Sequence, residues 1–446
     1  MTAPNLSIKE LRRVVIAAAV GNVIEWYDFY IFGSLATILA VQFFAQGTSG
    51  AALIKTVGTF TAGFLIRPFG AFLFGRIGDI VGRKYTFLIT LSGMGLSTAL
   101  IGLVPSYTRI GVAAGVLLLL LRLVQGLCLG GEYGGAITYV AEHAPDEKRG
   151  YYTGWLQTSP TLGIVLSLIV IIGTRQWLGA EAFAAWGWRL PFLLSLVMVA
   201  IAIYIRLQLA ETPIFQAMKA KGQTATNPWR EAFLSQNLKY VVIASIVVIG
   251  EGVVWYSSQF WALFFIQQIQ KPDVLHPALI TGAALLIAAP TLIFFGWLSD
   301  KIGRKPIILA GFLLASLTYY PLYTALGKAA NPADTNYPLA ILIVAIMVSY
   351  VGMVYGPIGA FLAEYFPGRI RYTSVSVPYH IGNGWGGGLV PVITTATYLS
   401  THSVGQALVY PIAVPAVALV LSVFLMPETR KISIWKPEQV AGAVRA

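Results

Sequence analysis

Charged side chains inside long apolar segments are the first sign of chemistry in this chain. Glu25 and Asp28 lie three residues apart, so they share one face of a helix. Two carboxylates this close are hard to ionise together, which suits a group that takes up and releases a proton. Arg122 lies in another apolar segment, where its guanidinium can hold a carboxylate through two hydrogen bonds. These residue types predict proton transfer and anion binding in apolar surroundings.

Three further ionisable residues interrupt apolar segments, where each costs about 2.5–3.5 kcal/mol and therefore needs a partner, water or a function. Glu132 is flanked by glycines, which indicates either close helix packing with a bonded carboxylate or proton transfer. Arg67 precedes a proline, and it either reaches to the membrane surface or locks a gate. Glu251 is a lone acid between two glycines. The predicted proton-coupling residues are Glu25, Asp28 and Glu132.

Aromatic and amide side chains near these charges are candidates for the wall of a cavity, with simple helix packing as the alternative for each. His380 can titrate near neutral pH, and a hydrogen-bonded structural histidine is its alternative. The predicted substrate-binding residues are Arg122, Tyr27, Tyr30, Gln157, Glu251, Tyr256, Gln259, Tyr355, His380, Asn383 and Trp385.

One charged phrase occurs twice, around Asp79 and around Asp300, almost half of the 446-residue chain apart. Its small residues let helix ends approach, and its aspartate can bind a neighbouring helix N-terminus or pair with Arg83 or Arg304. Such a contact, made in one conformation only, would bias a two-state equilibrium, whereas a plain basic turn is the alternative. The predicted gating residues are Arg67, Gly75, Gly78, Asp79, Gly82, Arg83, Asp300, Gly303 and Arg304.

A second match supports an internal repeat. The stretch containing Glu142 and Arg149 recurs as the stretch containing Glu364 and Arg371, with the same spacing. The first apolar segments of the two halves also align, so that Gly21, Trp26 and Tyr27 correspond to Gly250, Trp255 and Tyr256. Two similar halves can rock about a site between them, so the repeat predicts a transporter.

The amino-acid composition indicates which solvent surrounds this chain. Hydrophobic residues make up 57% of the sequence and charged residues only 11%, so the bilayer must be its solvent. Twelve apolar stretches are long enough to cross a membrane. The predicted fold is an all-α membrane protein with twelve transmembrane helices in two pseudo-symmetric six-helix bundles. The predicted divisions are an N-terminal bundle over 1–209, a linker over 210–238, a C-terminal bundle over 239–430 and a tail over 431–446.

The net charge of +12 does not indicate a nucleic-acid partner, because most of the 30 basic residues fall in loops on one side of the predicted bundles. This bias predicts that both termini are cytoplasmic. The start of the chain lacks a short apolar core with a cleavage site, so the first apolar run is predicted to be a retained helix. The one cysteine excludes an internal disulfide, and Cys and His lack metal-ligand spacing. No metal or cofactor is predicted.

The two charged loops resemble those of the major facilitator superfamily, where the pattern follows helix 2 and recurs after helix 8. Arg122-Leu-Val-Gln125-Gly126 resembles a helix 4 motif associated with its proton-coupled members. The phrases around Glu25, Glu132 and Arg189 are similar to those of the metabolite:proton symporter branch, which includes permeases for α-ketoglutarate, citrate, shikimate and proline/betaine. The second loop has Ser299 where the family has glycine, so we expect a looser C-terminal contact.

This resemblance implies a multi-pass, monomeric permease of the bacterial inner membrane that imports a small organic acid with protons by alternating access. It implies proton sites at Glu25 and Asp28, with Arg122 as their partner or as an anion clamp. Its expected partners are a carboxylate substrate, protons and the lipid bilayer. Uptake of a zwitterionic osmolyte such as proline or betaine is the first alternative, and drug efflux is the second. No nucleophile with a base is found for an enzyme.

Overall fold

The computed structural model describes residues 8–44, 49–207, 211–222, 225–233, 237–269 and 275–435. Within these ranges the chain forms helices and no strands. Helices suit long apolar runs because each satisfies its backbone hydrogen bonds internally, as a lipid environment requires. The helices group into twelve spans, numbered here in chain order.

The N-terminal half contains spans 1 to 6, and several of them are built from two consecutive helices. Their bounds are Ile8–Ser34 with Ala36–Phe43 for span 1, Ser49–Leu65 with Arg67–Ile80 for span 2, Arg83–Leu103 for span 3, Val112–Gly130 with Tyr133–Ala141 for span 4, Arg149–Gln157 with Ser159–Leu178 for span 5, and Arg189–Leu207 for span 6. Short helices Tyr107–Ile110 and Ala180–Ala182 and a π-helical turn at Phe183–Gly187 lie in the connections.

The C-terminal half contains spans 7 to 12 in the same order. Their bounds are Leu238–Tyr256 with Ala262–Ile269 for span 7, Leu275–Ile302 for span 8, Arg304–Ala329 for span 9, Tyr337–Tyr355 with Ile358–Tyr365 for span 10, Arg371–His380 with Val390–Thr401 for span 11, and Val404–Ala407 with Val409–Leu425 for span 12.

Most of these spans are long and apolar enough to cross a bilayer by themselves. Nine helices in the described residues meet this criterion, and the pair Ala180–Gly187 and Arg189–Ile205, bent by 63°, makes a tenth. Leu88–Leu103 in span 3 is apolar but shorter. Span 11 is interrupted by π-helical and 3₁₀ turns over Ile381–Gly386 and Gly387–Leu389, which divide it into shorter helices.

Two short helices connect the halves on the side of the Asp79 and Asp300 loops, hereafter the loop side. Pro213–Ala220 starts at Thr212, whose hydroxyl accepts a hydrogen bond from Phe215 N, and Pro228–Phe233 follows it. Apolar residues of the first helix pack with two residues near the chain end in a small separate core, formed by Ile214, Phe215, Met218, Ile434 and Trp435.

Interruptions in spans 7 and 11 bring these two helices close together. Ser257–Trp261 is a π-helical turn in span 7, and Ile381–Gly386 is its counterpart in span 11. A Cβ atom at Gly387 would lie 2.8 Å from the carbonyl oxygen of Gly252, so glycine is needed for this approach. π-Helical turns often occur at functional sites, and here they position polar side chains between the bundles.

Corresponding residues of the two halves meet at the centre of the molecule. The rings of Trp26 and Trp255, which the repeat aligns, have centroids 6.1 Å apart. The rings of Tyr133 and Tyr355 are a second corresponding pair, stacked at 6.4 Å. Contacts between equivalent residues are expected beside a pseudo-twofold axis, so the central site lies between the halves.

Candidate functional site

Arg122 is fully buried in span 4 and has one edge of its guanidinium unused. Its Nη1 donates to Gln125 Oε1 at 2.7 Å, and Gln125 Nε2 donates in turn to Thr98 Oγ1 at 2.6 Å. The guanidinium carbon lies 4.1 Å from the ring centroid of Phe29 and 4.4 Å from that of Phe32. Nε and Nη2 have no hydrogen-bond partner. These two atoms form the edge that binds a carboxylate with two parallel hydrogen bonds.

Asp28 is also fully buried, and neither of its carboxylate oxygens has a hydrogen-bond partner. No ion pair joins Asp28 to Arg122, although the sequence predicted that Arg122 could be the partner of the span 1 acids. Aromatic rings surround the guanidinium instead, so the structure does not support the pairing. The alternative of an anion clamp remains.

The other predicted acids are also buried, two of them in the N-terminal half and one in the C-terminal half. Glu25 lies on the same helix face as Asp28, and Glu132 lies at the break in span 4 between Gly130 and Tyr133. Glu251 is in span 7, and its Oε2 accepts a hydrogen bond from Asn383 Nδ2 at 2.9 Å. Glu251 Oε1 has no hydrogen-bond partner. The unused Oε1 atom of the buried Glu251 carboxylate is suited to bind a proton or a cationic group.

Arg67 connects the two halves at the centre of the molecule. It is fully buried at the break in span 2, and its Nη1 donates to the hydroxyl of Tyr256 in span 7 at 3.2 Å. Its guanidinium carbon lies 5.1 Å from the ring centroid of Trp26 and 5.0 Å from that of Phe64. The structure therefore places Arg67 in a contact between the bundles and not at the membrane surface.

Aromatic rings from both halves fill the space around these charges. The ring of Tyr30 stacks against the ring of Trp26, at 5.1 Å, and against that of Trp255, at 5.8 Å, and its hydroxyl has no hydrogen-bond partner. On the loop side of this group, the Tyr133 and Tyr379 rings stack with centroids 3.3 Å apart. The protein therefore closes this site with aromatic side chains in the described conformation.

Several predicted cavity residues bridge the halves. Gln157 in span 5 donates to the hydroxyl of Tyr133 at 2.9 Å and to the carbonyl oxygen of Tyr355 in span 10 at 3.0 Å. The Tyr355 and Tyr379 hydroxyls are 3.0 Å apart. His380 is fully buried, and neither ring nitrogen has a hydrogen-bond partner, so it is not the hydrogen-bonded structural histidine offered as its alternative.

Two predicted substrate residues have other contacts. The Tyr27 hydroxyl donates to the carbonyl oxygen of Pro191 in span 6 at 2.9 Å, so it is used inside the N-terminal bundle. Trp385 is 43% exposed and donates from Nε1 to the Leu65 carbonyl oxygen at 3.0 Å, at the outer edge of the contact between spans 2 and 11. Gln259 is buried, and its Oε1 lies 3.5 Å from Thr161 Oγ1. In the described conformation, the polar side-chain atoms of Tyr27 and Trp385 are therefore used in contacts with backbone carbonyl oxygens.

The two repeated aspartates make matching contacts between the bundles on the loop side. Asp79 Oδ2 accepts hydrogen bonds from Thr373 N at 3.1 Å and Thr373 Oγ1 at 2.6 Å, at the start of span 11. Asp300 accepts from Gly150 N at 2.9 Å and Tyr151 N at 2.8 Å, at the start of span 5. Each carboxylate thus binds a helix N-terminus of the opposite bundle, where the backbone dipole favours negative charge.

The predicted gating glycines permit these contacts. Gly82 has a φ angle of 131° and Gly303 has one of 113°, a conformation that residues with a side chain rarely adopt. A Cβ at Gly78 would lie 2.9 Å from the Tyr372 ring, and one at Gly75 would lie 3.3 Å from Thr373. Arg304 Nη1 pairs with Asp300 at 2.6 Å. The Arg83 side chain lies outside the residues that the structure describes.

Buried ion pairs complete the loop-side contact, and of their residues only Arg304 was predicted as a gating residue. Arg371 Nη1 pairs with Glu142 at 2.9 Å, and Arg149 Nη1 pairs with Glu364 at 3.0 Å, so each pair joins opposite bundles. Arg304 Nη2 also reaches Glu364, at 2.9 Å. The repeat already contained the signal, because it placed an acid and an arginine at equivalent positions in both halves.

Replacing Glu364 by glutamine is expected to destabilise the closed loop side. Glu364 faces both Arg149 and Arg304, so the change leaves two buried guanidiniums short of negative charge. Loss of one member of a buried ion pair costs about 3–5 kcal/mol. We expect a lower melting temperature of the purified protein and faster labelling of a cysteine introduced at Ser374, which is buried beside the Asp79 contact.

The matched control is Glu231→Gln, which removes an ion pair with Arg369 that is largely exposed. Such a surface pair contributes about 0–1 kcal/mol, so this variant should melt and label like the parent protein. Equal behaviour of the two variants would mean that the buried pairs do not hold the loop side closed.

The chain is similar to known transporters over most of its length. A family model described as sugar (and other) transporter matches residues 14–231, and one described as Major Facilitator Superfamily matches residues 271–443. The inner membrane metabolite transport protein YhjE of Escherichia coli strain K12 is 32% identical over 437 residues, covering 96% of each chain. The α-ketoglutarate permease of that strain is 33% identical over 398 residues, covering 88% of each chain. Its proline/betaine transporter is 30% identical over 440 residues, covering 94% of this chain and 84% of that protein.

A solved structure shows the same fold. The proton:xylose symporter XylE, bound to 6-bromo-6-deoxy-D-glucose, aligns with a TM-score of 0.76 at 17% identity, over 97% of this chain and 98% of that chain. This agreement confirms the predicted all-α arrangement of twelve spans in two halves.

Proposed function

Because this chain belongs to the major facilitator superfamily of membrane transporters, we propose that it imports a small organic acid together with protons by alternating access. The relatives include metabolite, shikimate and α-ketoglutarate transporters, so a carboxylate is a substrate class that fits the family. The family fixes neither the substrate nor the coupling ion, and both parts of the proposal depend on the central site.

The observation that carries the proposal is the free edge of Arg122. Nε and Nη2 are buried without partners, which costs stability unless a ligand satisfies them. A carboxylate matches this edge in both shape and charge. Gln125 holds the other side of the guanidinium, so the free edge has a fixed orientation. A substrate carboxylate would therefore bind Arg122 from the centre of the molecule.

Asp28 is the proposed proton carrier. Its carboxylate is buried on span 1, and its lack of a hydrogen-bond partner leaves proton binding as its means of neutralisation. A proton on Asp28 and an anion on Arg122 would leave no unpaired charge at these two positions when the bundles rock. Glu25, Glu132 and Glu251 are further proton or substrate sites in this proposal, with the predicted aromatic and amide residues as the cavity wall.

The loop-side contacts are the proposed gate. Asp79, Asp300, Arg304 and their partners join the bundles in the described conformation, and Arg67 joins them through Tyr256 at the centre. Because Arg122, Asp28 and Glu251 are buried, substrate access requires the bundles to separate on one side. The proposed moving bodies are the bundles 1–209 and 239–430, with both termini and the loop side in the cytoplasm.

A zwitterionic osmolyte is the second candidate substrate. A quaternary or secondary ammonium group binds aromatic faces and carboxylates, and both are present at Tyr30, Trp255 and Glu251. A proline/betaine transporter is also among the relatives. Under this alternative Arg122 would hold the osmolyte carboxylate, and the acids would face its cationic end.

Counterflow in proteoliposomes distinguishes the two substrates. Vesicles containing the purified protein are loaded with one unlabelled compound and assayed for uptake of its labelled form, using α-ketoglutarate, shikimate, citrate, proline and betaine in parallel. We expect saturable counterflow with at least one organic acid and weaker counterflow with proline and betaine. Counterflow with the zwitterions alone would replace the organic-acid proposal by its alternative, and protein-free vesicles are the control.

A further inference from the structure

A cavity on the loop side lies outside the central site and between the two bundles. It has a volume of about 660 Å³ and is lined by parts of span 1, the start of span 5 and the end of span 8. Ligand pockets typically have volumes of about 300–1,000 Å³, so this cavity can hold a small molecule or a lipid headgroup. None of the proposed transport residues except Asp300 lines it.

Three cations line this cavity, and they outnumber the acids that are available to balance them. Arg12 comes from span 1, Lys148 precedes span 5 and Lys301 ends span 8. All three are exposed, and no ion pair involves any of them in the described part of the chain. Of the two acids in the lining, Asp300 is already bonded to Arg304 and to the start of span 5, which leaves Glu147. The cavity therefore carries an excess of available positive charge.

Two tryptophans beside these cations point to a membrane ligand. Trp155 is 44% exposed and Trp297 is 43% exposed, although both lie in apolar spans and both line the cavity. Tryptophan is enriched at the membrane–water interface, where its ring lies at headgroup level. Ile16, also in the lining, is 61% exposed and provides an apolar surface for an acyl chain. A soluble anion would make no favourable contact with these apolar groups.

We propose that this cavity binds the phosphodiester headgroup of an anionic phospholipid, such as phosphatidylglycerol or cardiolipin, at the seam between the bundles. Arg12, Lys148 and Lys301 contact the phosphate, and Trp155 and Trp297 contact the glycerol and the upper acyl chains. Basic pockets between helices near a membrane surface are suited to such headgroups.

This position would couple the lipid to the conformation of the transporter. Asp300 lines the cavity while it accepts hydrogen bonds from Gly150 and Tyr151, so the lipid would lie beside a contact that closes the loop side. Its phosphate would contact cations from both bundles. Separation of the bundles would divide those cations, so the bound lipid favours the closed conformation.

Thermal unfolding of the full-length purified protein in detergent tests the proposal. Added phosphatidylglycerol or cardiolipin is expected to raise the melting temperature, whereas phosphatidylcholine, inorganic phosphate and soluble glycerophosphoglycerol should not. The variant Arg12→Gln/Lys148→Gln/Lys301→Gln should lose at least half of the rise. The matched control Lys219→Gln/Lys221→Gln/Lys431→Gln has the same net charge change at other exposed positions and should keep all of it.

The proposal would be overturned if anionic phospholipid raised the melting temperature equally in both triple variants. An equal rise of the melting temperature with phosphatidylcholine would also overturn it. A full rise with inorganic phosphate would also overturn it, by assigning the site to a soluble anion.

Fluorescence quenching provides a second test that does not depend on the charge variants folding. Phosphatidylglycerol with brominated acyl chains should quench the tryptophan fluorescence of the reconstituted protein more than brominated phosphatidylcholine. The excess should disappear in Trp155→Phe/Trp297→Phe and persist in Trp177→Phe/Trp186→Phe, which changes two exposed tryptophans near the opposite ends of the spans. The proposed site would be contradicted if the excess quenching were absent, or if it persisted in Trp155→Phe/Trp297→Phe.

Discussion

Replacing Arg122 by glutamine is expected to reduce carboxylate uptake about 100-fold or more. The change removes the free Nε and Nη2 edge, and loss of one member of a buried, hydrogen-bonded charge pair costs about 2–5 kcal/mol. Lysine at this position keeps the charge but cannot form the two parallel hydrogen bonds, so Arg122→Lys should retain only part of the activity. The transport activity of both variants is measured as initial uptake rates over a range of substrate concentrations.

The control for this prediction is Arg109→Gln, which removes an exposed arginine in the short helix before span 4. It should transport like the parent protein. Direct binding of the substrate to detergent-purified Arg122→Gln, measured by calorimetry, separates lost binding from lost movement. Unchanged affinity and unchanged uptake in Arg122→Gln would remove Arg122 from the substrate site.

Replacing Asp28 by asparagine is expected to abolish proton-driven accumulation while counterflow continues. Asparagine is permanently neutral, so it imitates the protonated carboxylate and permits exchange of the loaded carrier but carries no proton. The parent protein should transport more slowly as the external pH rises, because fewer carriers bind a proton. This pH dependence should be much weaker in Asp28→Asn, measured as counterflow in vesicles with equal pH on both sides.

Asp334→Asn is the matched control, because Asp334 is exposed in the connection between spans 9 and 10. It should retain both accumulation and pH dependence. Full accumulation by Asp28→Asn would show that Asp28 does not couple proton movement to transport, and Glu25, Glu132 and Glu251 would then be tested in the same way.

The fold was predictable because each of its main determinants is local in the sequence. Long apolar runs form helices in lipid, and the repeated phrases at Asp79 and Asp300 revealed two similar halves. The same repeat aligned Trp26 with Trp255, which prove to lie in contact between the halves. The helix breaks were not predicted, although Pro68 follows Arg67 at the break in span 2 and glycines are frequent in the π-helical turn of span 11.

The contacts of individual side chains were less predictable, because they depend on how distant helices pack. The repeat places an acid and an arginine at equivalent positions in both halves, but it does not indicate that Glu142 pairs with Arg371 in the opposite bundle. Tyr27 is a polar aromatic residue of the kind that lines cavities, but its hydroxyl donates to the carbonyl oxygen of Pro191. Arg122 was expected near acids, whereas aromatic rings surround it and leave one edge free. The position of Gln125, which accepts from Nη1, determines which edge of the Arg122 guanidinium is free.

The central claim, that a carboxylate and protons move together through a site at Arg122 and Asp28, is tested most directly by proton flux. Vesicles containing the purified protein and a pH-sensitive dye receive an organic acid that supports counterflow, in the absence of any imposed gradient. We expect the interior to acidify as labelled substrate enters, with the acidification lost in Asp28→Asn and both signals lost in Arg122→Gln. Substrate uptake without acidification, or acidification that persists in Asp28→Asn, would contradict the account.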